Sequence, residues 1–445
     1  MVVHPSVSSA LPSADASEHQ LTAEEAAVGD VQATAATRPI ERIAVIGAGT
    51  MGSAIAVSFA NAGLSVDLLE QSREACEAGA VRVHDLYQRL LKSGRIDENE
   101  AALRLARIKP TIDWSTISKA DLIVEAAFED MAVKRSIFEK LDDLAKPDAI
   151  LATNTSYLNV DEIADATVRP GRVVGLHFFS PAHIMRLVEV VRASKTEPEV
   201  LASVVALGRR IGKLPVVAGV CDGFIGNRIF AVYRRHAEYL LEDGASPAEI
   251  DEAVRAYGFA MGPFAVSDMS GLDIAWAMRK RRASTRDPSE RYVRIADLLC
   301  EAGRLGRKTG KGWYDYLDGK AVPSPEADLI IRDERARQGK TANSFTAEAI
   351  QLRLLSVIVN EAARVLEEGI SARPSDIDLV FVNGYGFPKA KGGPLFAADQ
   401  LGLQVILDEI NAVTRNVDPS TRPSPLLVRL AAEDRTFSEF QQQTK

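Results

Sequence analysis

Two short segments carry side chains able to move a proton. His177 lies in the run Gly175-Leu176-His177-Phe178-Phe179-Ser180-Pro181, and Glu189 follows in Arg186-Leu187-Val188-Glu189-Val190. If the two apolar runs form an antiparallel hairpin turning near His183, these residues stand opposite one another on one face. A carboxylate beside an imidazole fixes its tautomer, orients it and stabilises the imidazolium formed when it takes a proton. Such a pair suits removal of a hydroxyl proton while hydride leaves the same carbon. The same residues are compatible with a strand histidine and an unrelated surface glutamate. Ser156, in Thr153-Asn154-Thr155-Ser156, directly follows a candidate strand and is placed to hydrogen-bond a substrate oxygen; a helix cap ahead of Asp161 is the local alternative. Asn227, in Gly223-Phe224-Ile225-Gly226-Asn227-Arg228, opens a long helix, either as a cap or with its amide toward a carbonyl.

A second constellation points to a dinucleotide. Ile43-Ala44-Val45-Ile46-Gly47-Ala48-Gly49-Thr50-Met51-Gly52 sets G-x-G-x-x-G between a strand and an apolar-periodic helix. Gly47, Gly49 and Gly52 allow a tight turn, close approach of a pyrophosphate and helix–strand packing, and the helix start at Thr50 and Met51 offers free amides. Glu70 ends the next strand, where a carboxylate accepts from the adenosine ribose hydroxyls and disfavours a 2′-phosphate, so NAD is expected over NADP.

These groups need a scaffold. Short apolar runs alternate with amphipathic stretches from Arg42 onward, which predicts parallel strands and helices. Strands are expected at Ile43–Ile46, Val66–Leu69, Leu122–Ala126, Ile150–Ala152, Val173–Phe179, Leu187–Val191 and Leu214–Val217. After Gly223 only helices are expected. The helical part repeats itself. Leu241-Glu242-Asp243-Gly244 returns as Leu366-Glu367-Glu368-Gly369, Ile250-Asp251 as Ile377-Asp378, and Tyr257-Gly258-Phe259 as Tyr385-Gly386-Phe387. Gly262-Pro263 answers to Gly393-Pro394, and Asp268 with Gly271-Leu272 to Asp399 with Gly402-Leu403. Position 227 then corresponds to Leu352, so the repeat does not require an asparagine there. The fold class predicted is an α/β Rossmann-type dinucleotide-binding domain followed by two tandem all-α domains. Boundaries are expected at 1–38 for a disordered tail poor in large apolar residues, 39–218, 219–343 and 344–445.

The 445 residues exceed one core. With 53 basic against 61 acidic residues the net charge is -8, which offers no general field for nucleic acid. Cys76, Cys221 and Cys300 match neither a disulfide framework nor a metal spacing, and no run of about 20 apolar residues suggests a membrane span. With no basic start and apolar run to suggest a signal peptide, a cytoplasmic location is expected.

Taken together, Gly47 to Gly52, Val124-Glu125-Ala126, Asn154-Thr155-Ser156, Leu176-His177-Phe178-Phe179, Glu189, Gly223 to Arg228, Met261-Gly262-Pro263-Phe264 and Gly306 to Gly312 resemble the L-3-hydroxyacyl-CoA dehydrogenase family. The resemblance implies that His177 is the base, Glu189 its partner, and that Ser156 and Asn227 contact an acyl-CoA substrate. It also implies that Glu125, Lys134 and Asn154 face the cofactor. Ser180 departs from the asparagine usual after the paired phenylalanines. The doubled helical domain resembles the dehydrogenase half of multifunctional β-oxidation enzymes, expected here without the hydratase module. The second copy would then stand in for a partner subunit, giving a monomer through an internal pseudo-dimer, or else would enlarge a dimer interface. A catalytically silent scaffold of this fold, or another hydroxyacid dehydrogenase, is the competing reading.

Overall fold

The apolar runs assemble into one eight-stranded sheet. A computed structural model of the chain describes residues 16–20, 22–24, 35–283, 286, 291–418 and 421–443. The strands are β1 (Arg42–Ile46), β2 (Ser65–Leu69), β3 (Ile108–Thr111), β4 (Leu122–Glu125), β5 (Ile150–Thr153), β6 (Val173–Phe178), β7 (Leu187–Arg192) and β8 (Leu214–Gly219), in the order β3-β2-β1-β4-β5-β6-β7-β8. β1 to β6 run parallel, β7 is antiparallel to β6, and β8 is parallel to β7. Strands β4, β5 and β6 are buried along their whole length, as expected of a sheet covered on both faces. Strand order reverses between β1 and β4, and this switch point opens a crevice at the carboxyl ends.

Helix starts follow local chemistry. Ser72, Asp97 and Asp130 each accept a backbone N–H three residues on, opening Arg73–Lys92, Glu98–Leu105 and Met131–Leu144. The helix Thr50–Asn61 has no such side chain: Gly49 takes its cap position and leaves the first amides uncovered.

Three strands lie outside those the sequence predicts. β3 buries only Ile108 and contains Pro110, so as an edge strand it lacks both a continuous apolar run and alternation. Past Gly223 the chain is not purely helical: Tyr314–Leu317 and Lys320–Pro323 form an antiparallel hairpin. Its turn, Asp318-Gly319, has φ of 50° and 78°, the left-handed pair that an Asp-Gly dipeptide favours.

The described residues form two compact units. One is His19–Arg228 with Glu368–Gly384; the other holds Ile229–Glu367 and the chain from Tyr385. The repeat is visible as helices in the same order: Pro247–Tyr257, Pro263–Ser270 and Leu272–Arg282 recur as Pro374–Gly384, Pro394–Leu401 and Leu403–Asn416. Gly271 and Gly402, equivalent residues, share φ of 94° and 93°. Within the helical unit, Phe387 of the second copy packs edge-on against Tyr257 and Phe259 of the first. The stripe Leu352, Leu355, Val359, Ala363 and Leu366 is buried throughout.

The repeat is nevertheless divided between the units. Glu368–Gly384 joins the sheet unit because the Gly219 N–H donates to Ile370 O at 2.7 Å and Gly384 lies against Leu187 and Phe179. Most of residues 1–38, expected as a disordered tail, lies outside the described residues. Residues 16–20 and 22–24 depart from it: they are helical, Ala16, Gln20 and Ala23 are buried, and His19 Nε2 lies 2.9 Å from Asp378. Alanines need little space and the histidine finds a buried acid, so large apolar side chains are not required there.

Candidate functional site

The register of β6 and β7 places His177 directly opposite Glu189. Lys213 pins the turn between them, donating from Nζ to Ala182 O (2.6 Å) and Met185 O (2.7 Å), and burial pulls this ammonium down to about 8. His177 Nδ1 and Glu189 Oε2 are 2.7 Å apart, and both residues are buried. Glu189 Oε1 accepts from the amides of Ile225 (3.2 Å) and Gly226 (3.0 Å), at the start of the helix Gly226–Asp243. A helix N-terminus favours negative charge, and the carboxylate set there stands where it can stabilise an imidazolium. Phe224, before that helix, is fully buried with φ of 51°, a left-handed conformation unusual for a bulky residue, and its ring lies 5.8 Å from that of His177.

With Nδ1 turned to the carboxylate, Nε2 is the working nitrogen. Ser156 Oγ lies 3.2 Å from it. Ser156 is not a helix cap: Asn159 caps the helix Val160–Ala164 by accepting from the Asp161 amide. Asn227 is the second residue of its helix, and its Nδ2 reaches Ser156 O at 3.5 Å. His177, Glu189, Ser156 and Asn227 therefore converge. An alcohol oxygen set between Nε2 and the Ser156 hydroxyl would be positioned for deprotonation.

Asn154 follows β5 directly and ties it to β6, its Oδ1 accepting from the Phe178 amide at 3.0 Å. Glu125 and Lys134 are fully buried, with Lys134 Nζ 2.8 Å from each Glu125 oxygen. Thr153 Oγ1 and the Ala127 amide complete the carboxylate's partners at 2.7 Å. Instead of presenting open side chains to a nicotinamide, these two residues fix the loop after β4. The outward group is Glu129, which the sequence reading missed. Its Oε1 accepts from Thr155 Oγ1 (2.6 Å) and the Ser156 amide (2.9 Å), and its Oε2 lies 3.5 Å from Lys134 Nζ. In the sequence Glu129 is one of two acids ahead of a helix, and only Asp130 acts as the cap.

The glycine turn has the shape of a phosphate cradle. A Cβ on Gly47 would sit 2.7 Å from Ala126 O, and one on Gly52 would sit 1.8 Å from Gly47 O. At Gly49 nothing lies within 4 Å of that position, so the space above the helix start is open. Glu70 Oε1 accepts from the Ala48 amide at 2.6 Å, holding the turn from the β2 side. The open cradle, the uncovered amides of Thr50–Asn61 and this carboxylate fit a dinucleotide.

Comparison with known proteins agrees with this geometry. Residues 42–221 match the family described as 3-hydroxyacyl-CoA dehydrogenase, NAD binding domain. Residues 223–316 and again 350–442 match the 3-hydroxyacyl-CoA dehydrogenase C-terminal domain. A peroxisomal bifunctional enzyme of Danio rerio is 40% identical over 411 residues, covering 89% of this chain and 56% of that protein. The chain thus spans a little over half the length of the curated relatives it matches. Among solved structures, a 3-hydroxybutyryl-CoA dehydrogenase of Escherichia coli K12 superposes with a TM-score of 0.77 at 29% identity, covering 91% of this chain and 100% of that one. The dehydrogenase part of multifunctional enzyme 1 of C. elegans gives 0.65 at 28% identity, covering 91% and 96%.

Proposed function

From the premise that this chain belongs to the 3-hydroxyacyl-CoA dehydrogenase family and carries its NAD-binding domain, we propose that it oxidises a (3S)-3-hydroxyacyl-CoA to the 3-oxoacyl-CoA. The observation that carries the reading is the buried His177–Glu189 pair, with Nε2 directed at Ser156. His177 Nε2 takes the proton of the substrate 3-hydroxyl. Glu189 offsets the positive charge that appears on the ring, and Ser156 holds the oxygen while Asn227 orients the acyl carbonyl. A bound NAD would supply the acceptor for the C3 hydride. Glu70 and the amides after Gly49 would hold its adenosine and pyrophosphate ends, and the Glu125–Lys134 pair would keep the loop beside it rigid. In the reverse direction the protonated His177 returns its proton to the alkoxide. Such a step belongs to acyl-chain β-oxidation or its reversal.

The test mixes full-length protein, NAD and a 3-hydroxyacyl-CoA and follows NADH absorbance. His177→Gln should retain NAD binding while turnover falls about 10²–10⁴-fold, the range of a lost general base. Undiminished turnover in that variant would remove His177 from the mechanism.

A further inference from the structure

The segment Glu368–Gly384 belongs by sequence to the second helical copy and by packing to the unit that holds the catalytic pair. At its start, Arg228 and Glu368 form a two-pronged ion pair, Nη1 to Oε2 at 2.5 Å and Nη2 to Oε1 at 2.8 Å. Arg228 directly follows Asn227. Two residues beyond Glu368, Ile370 is fastened to Gly219 by the 2.7 Å backbone bond, and a Cβ on Gly219 would lie only 3.2 Å from Ile370 Cα. The carboxylate is thus presented from a seated piece of backbone. On the other side of Asn227, Glu189 grips the amides of Ile225 and Gly226. Two carboxylates therefore hold the same helical turn, one before Asn227 and one after it.

The duplication does not by itself demand this contact. By the offset that carries Leu241 onto Leu366, Arg228 corresponds to Arg353 and Glu368 to Asp243. Were the pair a relic of the repeat, Arg353 would meet Asp243. Instead Arg353 lies 3.2 Å from Glu409, while Asp243 pairs with Arg291 at 2.6 Å and Lys340 at 3.5 Å. The bridge between copies is made at the end that adjoins Asn227 and not at its mirror position.

We propose that Glu368 is a positioning residue for the dehydrogenase reaction: through Arg228 it fixes the turn that aims the Asn227 amide at the acyl-CoA. The inference rests on the oxidation proposed above. The Glu368 side chain is 49% exposed, and an ion pair so open to water adds little to folding. Its contribution is geometric, because a bidentate arginine–carboxylate fork restricts both distance and plane. Displacing an orienting group by about an ångström costs up to about 10²-fold in rate, whereas the cofactor cradle at Gly47 to Gly52 is set by Ala126 and Glu70.

The experiment compares full-length wild type, Glu368→Ala and Glu368→Gln with 3-hydroxybutyryl-CoA as the probe. Turnover, KM for the acyl-CoA, the dissociation constant for NAD and the melting temperature are all recorded. Glu368→Ala should lower kcat/KM for the acyl-CoA about 10-fold, with NAD affinity unchanged and melting shifted by no more than about 2 °C. Glu368→Gln keeps an oxygen for one guanidinium N–H and should recover part of the loss. Unchanged kcat/KM in the alanine variant overturns the proposal, as does a loss shared with NAD affinity or accompanied by a marked fall in melting temperature. If wild type binds NAD yet never oxidises the probe, the oxidation itself falls and this inference with it.

Discussion

Replacing Glu189 by glutamine tests the central pair with almost no change of shape. The carboxylate serves His177 Nδ1 at 2.7 Å with one oxygen and two backbone amides with the other. A glutamine has one oxygen and one NH₂: with the oxygen toward Nδ1 its NH₂ meets the two backbone N–H groups, and turned round it donates to Nδ1 and forces the ring proton onto Nε2, the wrong tautomer for a base. The larger effect is on charge. At an effective dielectric of about 20, unit charges 2.7 Å apart attract by about 6 kcal/mol. If the imidazolium is half developed in the transition state, about 3 kcal/mol of stabilisation is lost, which is about 10²-fold in kcat. Steady-state NADH formation measures it, with NAD affinity and melting temperature confirming that the variant is folded and loaded. A folded Glu189→Gln enzyme with kcat within about threefold of wild type, well short of that loss, would refute the charge argument.

Three other outcomes follow from the geometry. Gly49→Ala should fold normally but bind NAD more weakly, because its Cβ enters the open cradle; Gly52→Ala should instead melt at a lower temperature, its Cβ meeting Gly47 O at 1.8 Å. Paired melting and NAD titrations check both, and equal melting temperatures would contradict the packing. Glu70→Ala should weaken NAD binding, since the ribose hydroxyls lose an acceptor and the Ala48 amide its partner; an unchanged dissociation constant would assign the ribose to another residue. His236, buried with Nε2 3.1 Å from Thr421 Oγ1, has its pKa pulled by burial from 6.5 down to about 3. Between those values the unfolded chain binds more protons, so this residue's contribution is whole above pH 6.5 and declines as pH falls, by about 2 kcal/mol at pH 5. Denaturant titrations across that range should show a shallower acid loss for His236→Gln than for wild type, and parallel curves would exclude the histidine as the cause.

Part of this architecture is written in short-range pattern. Three glycines and Glu70 specify the cofactor turn because backbone approach and strand length dictate their spacing. His177 and Glu189 could be set face to face because a hairpin's register follows from its apolar runs. The two helical copies were legible because duplication leaves residues in order. What lacks a local signature was decided by tertiary structure. β3 is an edge strand with one buried residue, so no periodicity announces it. The Asp318-Gly319 dipeptide does carry a turn signal, but the four-residue strands it joins bury only Tyr314 and so show no apolar pattern. Glu125 and Lys134, nine residues apart, were placed in the crevice by resemblance, while burial turns them toward each other. Glu129 and Glu368 find partners 27 and 140 residues away. Contacts at such separations are fixed only when the chain closes on itself, because no local pattern of burial or hydrogen bonding encodes which distant carboxylate meets which amide or arginine.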